Sequence, residues 1–149
     1  MKLIDFVDPH HIRLNFPFSS KKNLFEQLAI SIGKSPKVVR KVYDSFVARE
    51  KLGNTSMGNG VALPHGKCLP NKEVSLRIVV LNKPVNYESV DNSKVQLIVA
   101  LAFPENADET HCELLREAGA FFKKHRLFRE LISAKTKKEF IEVIMKESG

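Results

Sequence analysis

The sequence predicts an α/β fold, a mixed β-sheet flanked by helices, in a single domain over residues 1–149. Three observations predict it. The stretch "VQLIVALAF" at 95–103 is almost wholly apolar, as a central strand covered on both faces must be. Strand-like stretches alternate with stretches of helical spacing, and the last third is helical. No repeat, low-complexity segment or linker divides these elements, so they share one layered core.

Taken in order, "HIRLNF" at 11–16 alternates Ile12, Leu14 and Phe16 with polar neighbours and predicts a short strand. "SSKKNLFEQLAISIG" places Leu24, Leu28 and Ile32 on one helical stripe, opens on serine caps and closes at Gly33. In "SPKVVRKVYDSFVARE" Ser35 is the expected N-cap and Pro36 the first helical residue, and the helix should end near Lys51 with Arg49 in its last turn. "VALPHG" predicts a short strand or strand edge, because Pro64 has no N–H for a ladder. "VSLRIVVL" at 74–81 predicts a strand, and 82–94, with Pro84, Asn86, Asp91 and Asn92, a loop. Towards the end, Thr110 with Glu113 and Thr136 with Glu139 have capping-box spacing, and "LFRELISA" between them predicts a short helix.

Composition narrows the function classes. At 149 residues and 43% hydrophobic content the chain can bury a core without metal or disulfide staples. No apolar run approaches the ~18 residues of a membrane span, and the opening "MKLIDFVDPHH" lacks a signal-peptide core. A cytoplasmic protein with no membrane insertion is expected, with Cys68 and Cys112 as reduced thiols. The 24 Lys+Arg against 17 Asp+Glu leave a net charge of +7, but the lysine pairs are scattered and there is no Trp. That pattern predicts a solvated basic surface and no specific nucleic-acid site.

Chemistry concentrates in "NTSMGNGVALPHGK", Asn54 to Lys67. Gly58, Gly60 and Gly66 allow positive φ or close approach of another molecule, and Pro64 braces the backbone that carries His65. His10 and His11, near the first strand, and His125, at a helix end where a cation suits the dipole, are expected to be structural or solvated. His111 falls in the first turn of a helix, where N–H groups favour an anion, although an exposed first-turn residue has the same spacing. Metal binding by His65, Cys68, His111 and Cys112 is poorly served, because His111 and Cys112 point about 100° apart on a helix. No serine-nucleophile elbow, phosphate-binding loop or dinucleotide fingerprint is present, and no cofactor or metal is expected.

From "AREKLGNTSMGNGVALPHGK" the sequence resembles the enzyme IIA proteins of the bacterial phosphoenolpyruvate-dependent phosphotransferase system, in the fructose, mannitol and nitrogen-regulatory group. The shared pattern is Arg49-Glu50, the turn Gly53-Asn54-Thr55, Gly58-Asn59-Gly60, and Pro64-His65-Gly66. The likeness also covers "LIDFVDPHHIRLNF", "SKKNLFEQLA" and "LIVALAFPENADETHCELL", and is greatest towards the nitrogen-regulatory branch. It departs at Asn54 and Ser56, where the family more often has serine and glycine.

The resemblance implies one enzyme IIA type-2 domain with His65 as phosphoryl acceptor through its ε nitrogen, fed by an HPr-like histidine phosphocarrier. It implies that His111 and Arg49 steady the phosphoryl group, that Thr55 adds a hydroxyl hydrogen bond, and that regulatory target proteins are the partners. A fructose- or mannitol-type component serving a sugar permease, and a non-catalytic binding module of the same fold, are the alternatives.

Overall fold

The computed structural model describes residues 1–149, built around one five-stranded sheet. Its strands are β1 (Ile12–Phe16), β2 (Val61–Ala62), β3 (His65–Leu69), β4 (Ser75–Asn86) and β5 (Lys94–Pro104). The helices are α1 (Lys21–Ile32), α2 (Pro36–Leu52), α3 (Glu109–Phe122), α4 (His125–Ser133) and α5 (Lys137–Ser148). The sheet runs β1-β4-β5-β2, with β3 also paired to β5 beyond β2. Only β4 and β5 are antiparallel; β1 lies parallel to β4, and β2 and β3 parallel to β5, so the sheet is mixed.

Because both faces are covered, β5 is apolar at consecutive positions. Ile98, Ala100 and Ala102 belong to the core under α1 and α2, with Leu24, Leu28, Val42 and Phe46. Leu97, Val99, Leu101 and Phe103 belong to the opposite core, with Leu114, Phe122, Leu131 and Phe140 of α3 to α5. Phe25 and Phe46 meet edge to face at 6.0 Å, joining α1 to α2. The caps of these two helices are those expected: Ser20 Oγ accepts from Asn23 N at 3.0 Å and Ser35 Oγ from Val38 N at 3.3 Å.

Four local expectations are corrected. Strand β4 does not stop at Leu81 but continues to Asn86, pairing Val85 with Val95 and Asn86 with Lys94. Pro84 is accommodated because the register shifts between Val80 and Val85, where a missing donor leaves no ladder position empty. In β1 the alternation does not keep its apolar residues on one face. Asn15 takes φ 54° at a register shift, and Phe16 joins the α1–α2 core while Ile12 lies in the other. Helix α3 is capped by Asp108, not Thr110: its carboxylate accepts from Thr110 N at 3.0 Å. His125 is the first residue of α4, a helix N-terminus, so the dipole gives a cation there no help.

Gly66 faces α2, where an added Cβ would overlap the side chain of Ser45 and crowd Phe46; its role is packing, and not access for a second molecule. Gly53 adopts extended backbone with open space around the missing Cβ. Gly66→Ala should therefore lower the unfolding free energy by about 1–3 kcal/mol, while Gly53→Ala stays within about 0.5 kcal/mol of the parent. Urea unfolding of both variants checks the contrast; equal losses would contradict this packing role.

Candidate active site

The site begins at the end of α2. Successive helical residues point about 100° apart, so Arg49 and Glu50 serve different surroundings. Glu50 turns inward, its side chain only 9% exposed, and accepts from Lys21 Nζ at 3.0 Å. It also accepts twice from Thr55: Oε1 from Oγ1 at 2.6 Å, and Oε2 from the backbone N at 3.1 Å. Lys21 lies over the Tyr87 ring at 4.4 Å, which closes the other side of this largely buried pair. Asn54 ties the same loop to the sheet, its Nδ2 donating to the carbonyls of Tyr87 and Glu88 at 2.9 Å each, while its Oδ1 accepts from Ser56 N.

From Thr55 the loop folds back on itself. Met57 N donates to Val61 O at 2.8 Å and Leu63 N to Thr55 O at 3.0 Å, around a turn in which Gly58, Asn59 and Gly60 all take positive φ. This return places the Leu63 carbonyl 2.8 Å from His65 Nδ1. A carbonyl only accepts, so Nδ1 carries the proton and the lone pair of the neutral ring is on Nε2. The ring is half-buried, and burial, the larger cause, holds its pKa below the ordinary 6.5, aided by the charge of Arg49; the bond to Leu63 and the charge of Glu50 oppose that shift.

His65 pairs with Leu101, and Gly66 faces α2, so the imidazole is on the α3–α5 face of the sheet. His111 is on that face too. In the first turn of α3 its Nδ1 lies 3.1 Å from both the backbone N and the Oδ1 of Asp108, and these capping contacts fix the orientation of the ring. Its ring meets Phe103 edge to face at 5.8 Å, and Phe103 pairs with Lys67, two residues along from His65. Arg49 is half-buried, donates from Nη1 to Gly53 O at 2.8 Å, and acts on His65 through its charge.

Thr55 and Cys68 fall elsewhere. Thr55 is buried and gives its one hydroxyl proton to Glu50. Cys68 belongs to the core under α1 and α2, away from the face of His65, and burial pushes its thiol up to about 11. No group of three or more His, Cys, Asp or Glu side chains is arranged to hold a metal ion. Lys21 and the loop-ordering role of Glu50 are what sequence reasoning missed, while Asn54, singled out there as a departure from the family, helps to order the loop. The adjacent Arg49-Glu50 pair at a helix end was the available signal, but a carboxylate beside an arginine also fits a surface ion pair.

The electrostatics give a signed expectation. Titrated by NMR, the His65 ring should show a pKa below 6.5; Arg49→Gln should raise it, by removing a positive neighbour, and Glu50→Gln should lower it further. A wild-type pKa above 6.5, or shifts of opposite sign, would contradict this arrangement.

Comparison with known proteins places this geometry in a family. A model of the family described as "Phosphoenolpyruvate-dependent sugar phosphotransferase system, EIIA 2" matches residues 5–147. The nitrogen regulatory protein of Pseudomonas aeruginosa is 31% identical over 147 residues, covering 97% of this chain and 96% of its own. A nitrogen regulatory protein homolog of Haemophilus influenzae is 33% identical over 149 residues, covering 96% and 90%. The crystal structure of nitrogen regulatory protein IIA-Ntr from Neisseria meningitidis superposes with a TM-score of 0.86 at 29% identity, covering 95% of this chain and 98% of that one. Since the match runs from the first 3-10 turn to the last helix, the chain belongs to the EIIA 2 family of the phosphoenolpyruvate-dependent sugar phosphotransferase system.

Proposed function

We propose that the chain is a phosphoryl-accepting enzyme IIA of the nitrogen-regulatory kind, acting as one domain over residues 1–149, with His65 as acceptor. The observation that carries this reading is the 2.8 Å contact of His65 Nδ1 with Leu63 O, which leaves a lone pair on Nε2 of a ring kept neutral at pH 7. The donor is a phosphohistidine on a small HPr-like carrier. An N–P bond forms at Nε2 as the carrier's N–P bond breaks, and the electron pair of the broken bond returns to the carrier's imidazole.

Phosphoryl transfer demands alignment and neutralisation of charge more than covalent assistance from the protein. Arg49 supplies a permanent cation beside the ring, and His111 is the second imidazole that steadies the phosphoryl oxygens. Thr55 acts at one remove in this reading: its hydroxyl proton is committed to Glu50, and its carbonyl holds the Leu63 N–H. It positions the acceptor's own partner.

The nitrogen-regulatory reading is supported by relatives of that name aligned over nearly their whole length. Regulatory target proteins then follow as the partners, met in the cytoplasm. No helix is long and apolar enough to cross a membrane. The family description itself names a sugar system, and this favours one second reading, a component that hands phosphate to a sugar-specific IIB.

Incubation with phosphoenolpyruvate, the upstream phosphotransferase and the carrier, followed by mass spectrometry at neutral to alkaline pH, tests the acceptor. One phosphate on His65 is expected, and none on His65→Ala; equal labelling of that variant would overturn the assignment. Fast onward transfer to a sugar-specific IIB would favour the second reading.

Arg49→Ala should slow transfer by about 10- to 100-fold, the loss of one charge-assisted contact, with a stability change of about 1 kcal/mol or less. His111→Ala should be milder than His65→Ala. The rate should fall as the pH is lowered, with a midpoint below 6.5, as His65 takes up its proton and loses the Nε2 lone pair.

A further inference from the structure

The helical layer on the sheet face opposite the His65 imidazole carries most of the molecule's excess charge. From Lys21 to Leu52, the span of α1 and α2, eight Lys and Arg stand against three Asp and Glu, a net +5 of the +7 in the whole chain. Lys21 and Glu50 are bonded to each other at 3.0 Å in the interior. Most of the others are exposed, because the inner stripe of these helices is taken by Leu24, Leu28, Val42 and Phe46 and charge is sent outward.

This basic surface is not evenly polar. The two helices meet closely at Gly33, where an added Cβ would lie 2.6 Å from Val39 N, and beside that corner is an open cleft of about 850 Å³. Ala29, Ile30, Val39 and Tyr43 form its apolar part. Ile30 is 60% exposed, a large apolar side chain that α1 leaves in water two residues before its end. Val39 and Tyr43 pack on the α1–α2 core and remain only partly buried. Lys22, Lys34 and Arg40 are exposed around them, and Glu26 is the one acidic residue in the lining. Lys34 and Arg40 also meet Glu73 and Asp44, at 3.5 and 3.2 Å, but both pairs are solvent-exposed, and pairs of that kind hold weakly and can exchange partners.

The occupant follows from charge and shape together. A second copy of this chain would set like charge against like. A bilayer surface is flat, and a nucleic-acid backbone has no apolar side chain to fill a recess between helices. A protein helix with apolar anchors at i, i+3, i+4 and i+7 and carboxylates beside them satisfies both features, and the space suits ~2 turns of a helix about 10 Å across. We propose that the α1–α2 cleft docks an acidic amphipathic helix of a partner protein, with Ile30, Val39 and Tyr43 receiving its apolar stripe and Lys22, Lys34 and Arg40 its carboxylates. The cleft lies across the sheet from the His65 imidazole, so docking does not require phosphorylation there and leaves the His65 face free.

The test is a ¹H–¹⁵N NMR titration of the full, unphosphorylated chain at fixed ionic strength. The probe is a synthetic helix of about five turns with Leu at the anchor spacing and Glu and Ala elsewhere. Saturable shifts are expected at Ile30, Gly33, Val39 and Tyr43, with the same response in His65→Ala. The peptide with Lys in place of Glu should not saturate, and a scrambled peptide of equal charge but no apolar stripe should bind about tenfold or more weakly. Ile30→Asp, and separately Lys22→Glu combined with Arg40→Glu, should each weaken binding by about tenfold or more. These side chains are exposed, so the variants keep the fold, which circular dichroism checks. No saturation by the acidic peptide, equal binding of the scrambled one, or an unchanged affinity in Ile30→Asp would overturn the proposal. So would shifts centred on His65, or saturation only by duplex DNA or phosphatidylserine vesicles.

Discussion

The site depends on one relay of hydrogen bonds, from the Glu50 carboxylate through both donors of Thr55, from the Thr55 carbonyl to Leu63 N–H, and from the Leu63 carbonyl to His65 Nδ1. Each link is short in sequence, yet together they transmit the position of a helix end to the tautomer of one imidazole. The anchor is stable because its largely buried charge is matched by Lys21. A carboxylate buried without that partner would be destabilising. This polar loop keeps one conformation because the Asn54 amide, both donors of Thr55 and the N–H groups of Ser56, Met57 and Leu63 are all taken.

The same helix end separates two tasks that a single residue type could not combine. Glu50 faces the interior and orders the loop, and Arg49, one residue earlier, remains at the surface and lowers the proton affinity of His65. Their charges act on the ring with opposite sign, and burial decides the net direction. The imidazole is therefore uncharged at neutral pH beside a permanent cation, the combination that the proposed acceptor role calls for.

The two-faced sheet gives the architecture its economy. Strand β5 is apolar on both sides and supports two cores, while polar groups are confined to the strand ends and the edge. His65 and His111 share the α3–α5 face, and Arg77 occupies the α1–α2 face with Cys68 and the small side chains of Ala100 and Ala102 nearby in the sheet order. Residues adjacent in a strand are thus sent to unrelated surroundings, as Leu76 and Arg77 show.

Much of this was legible in the sequence for local reasons. Ser20 and Ser35 cap their own helices, Pro36 starts one, and the apolar run at 95–103 could only be a doubly covered strand, so these elements followed from short-range chemistry. The Pro64-His65-Gly66 triplet with its preceding glycines likewise drew attention to His65. Local pattern failed where distant partners decide: β4 runs on past Pro84 because β5 offers Val95 and Lys94. It also failed where two neighbouring residues could cap one helix, and Asp108, whose carboxylate reaches Thr110 N, takes the place of Thr110. The sequence alone determined the kinds of element, their order and the identity of the braced histidine. Only the tertiary structure decided that Thr55 serves Glu50, that Gly66 packs on Ser45, and that Arg77 keeps a buried donor unpaired, because hydrogen-bond partners and contact distances between remote segments exist only once the layers have closed.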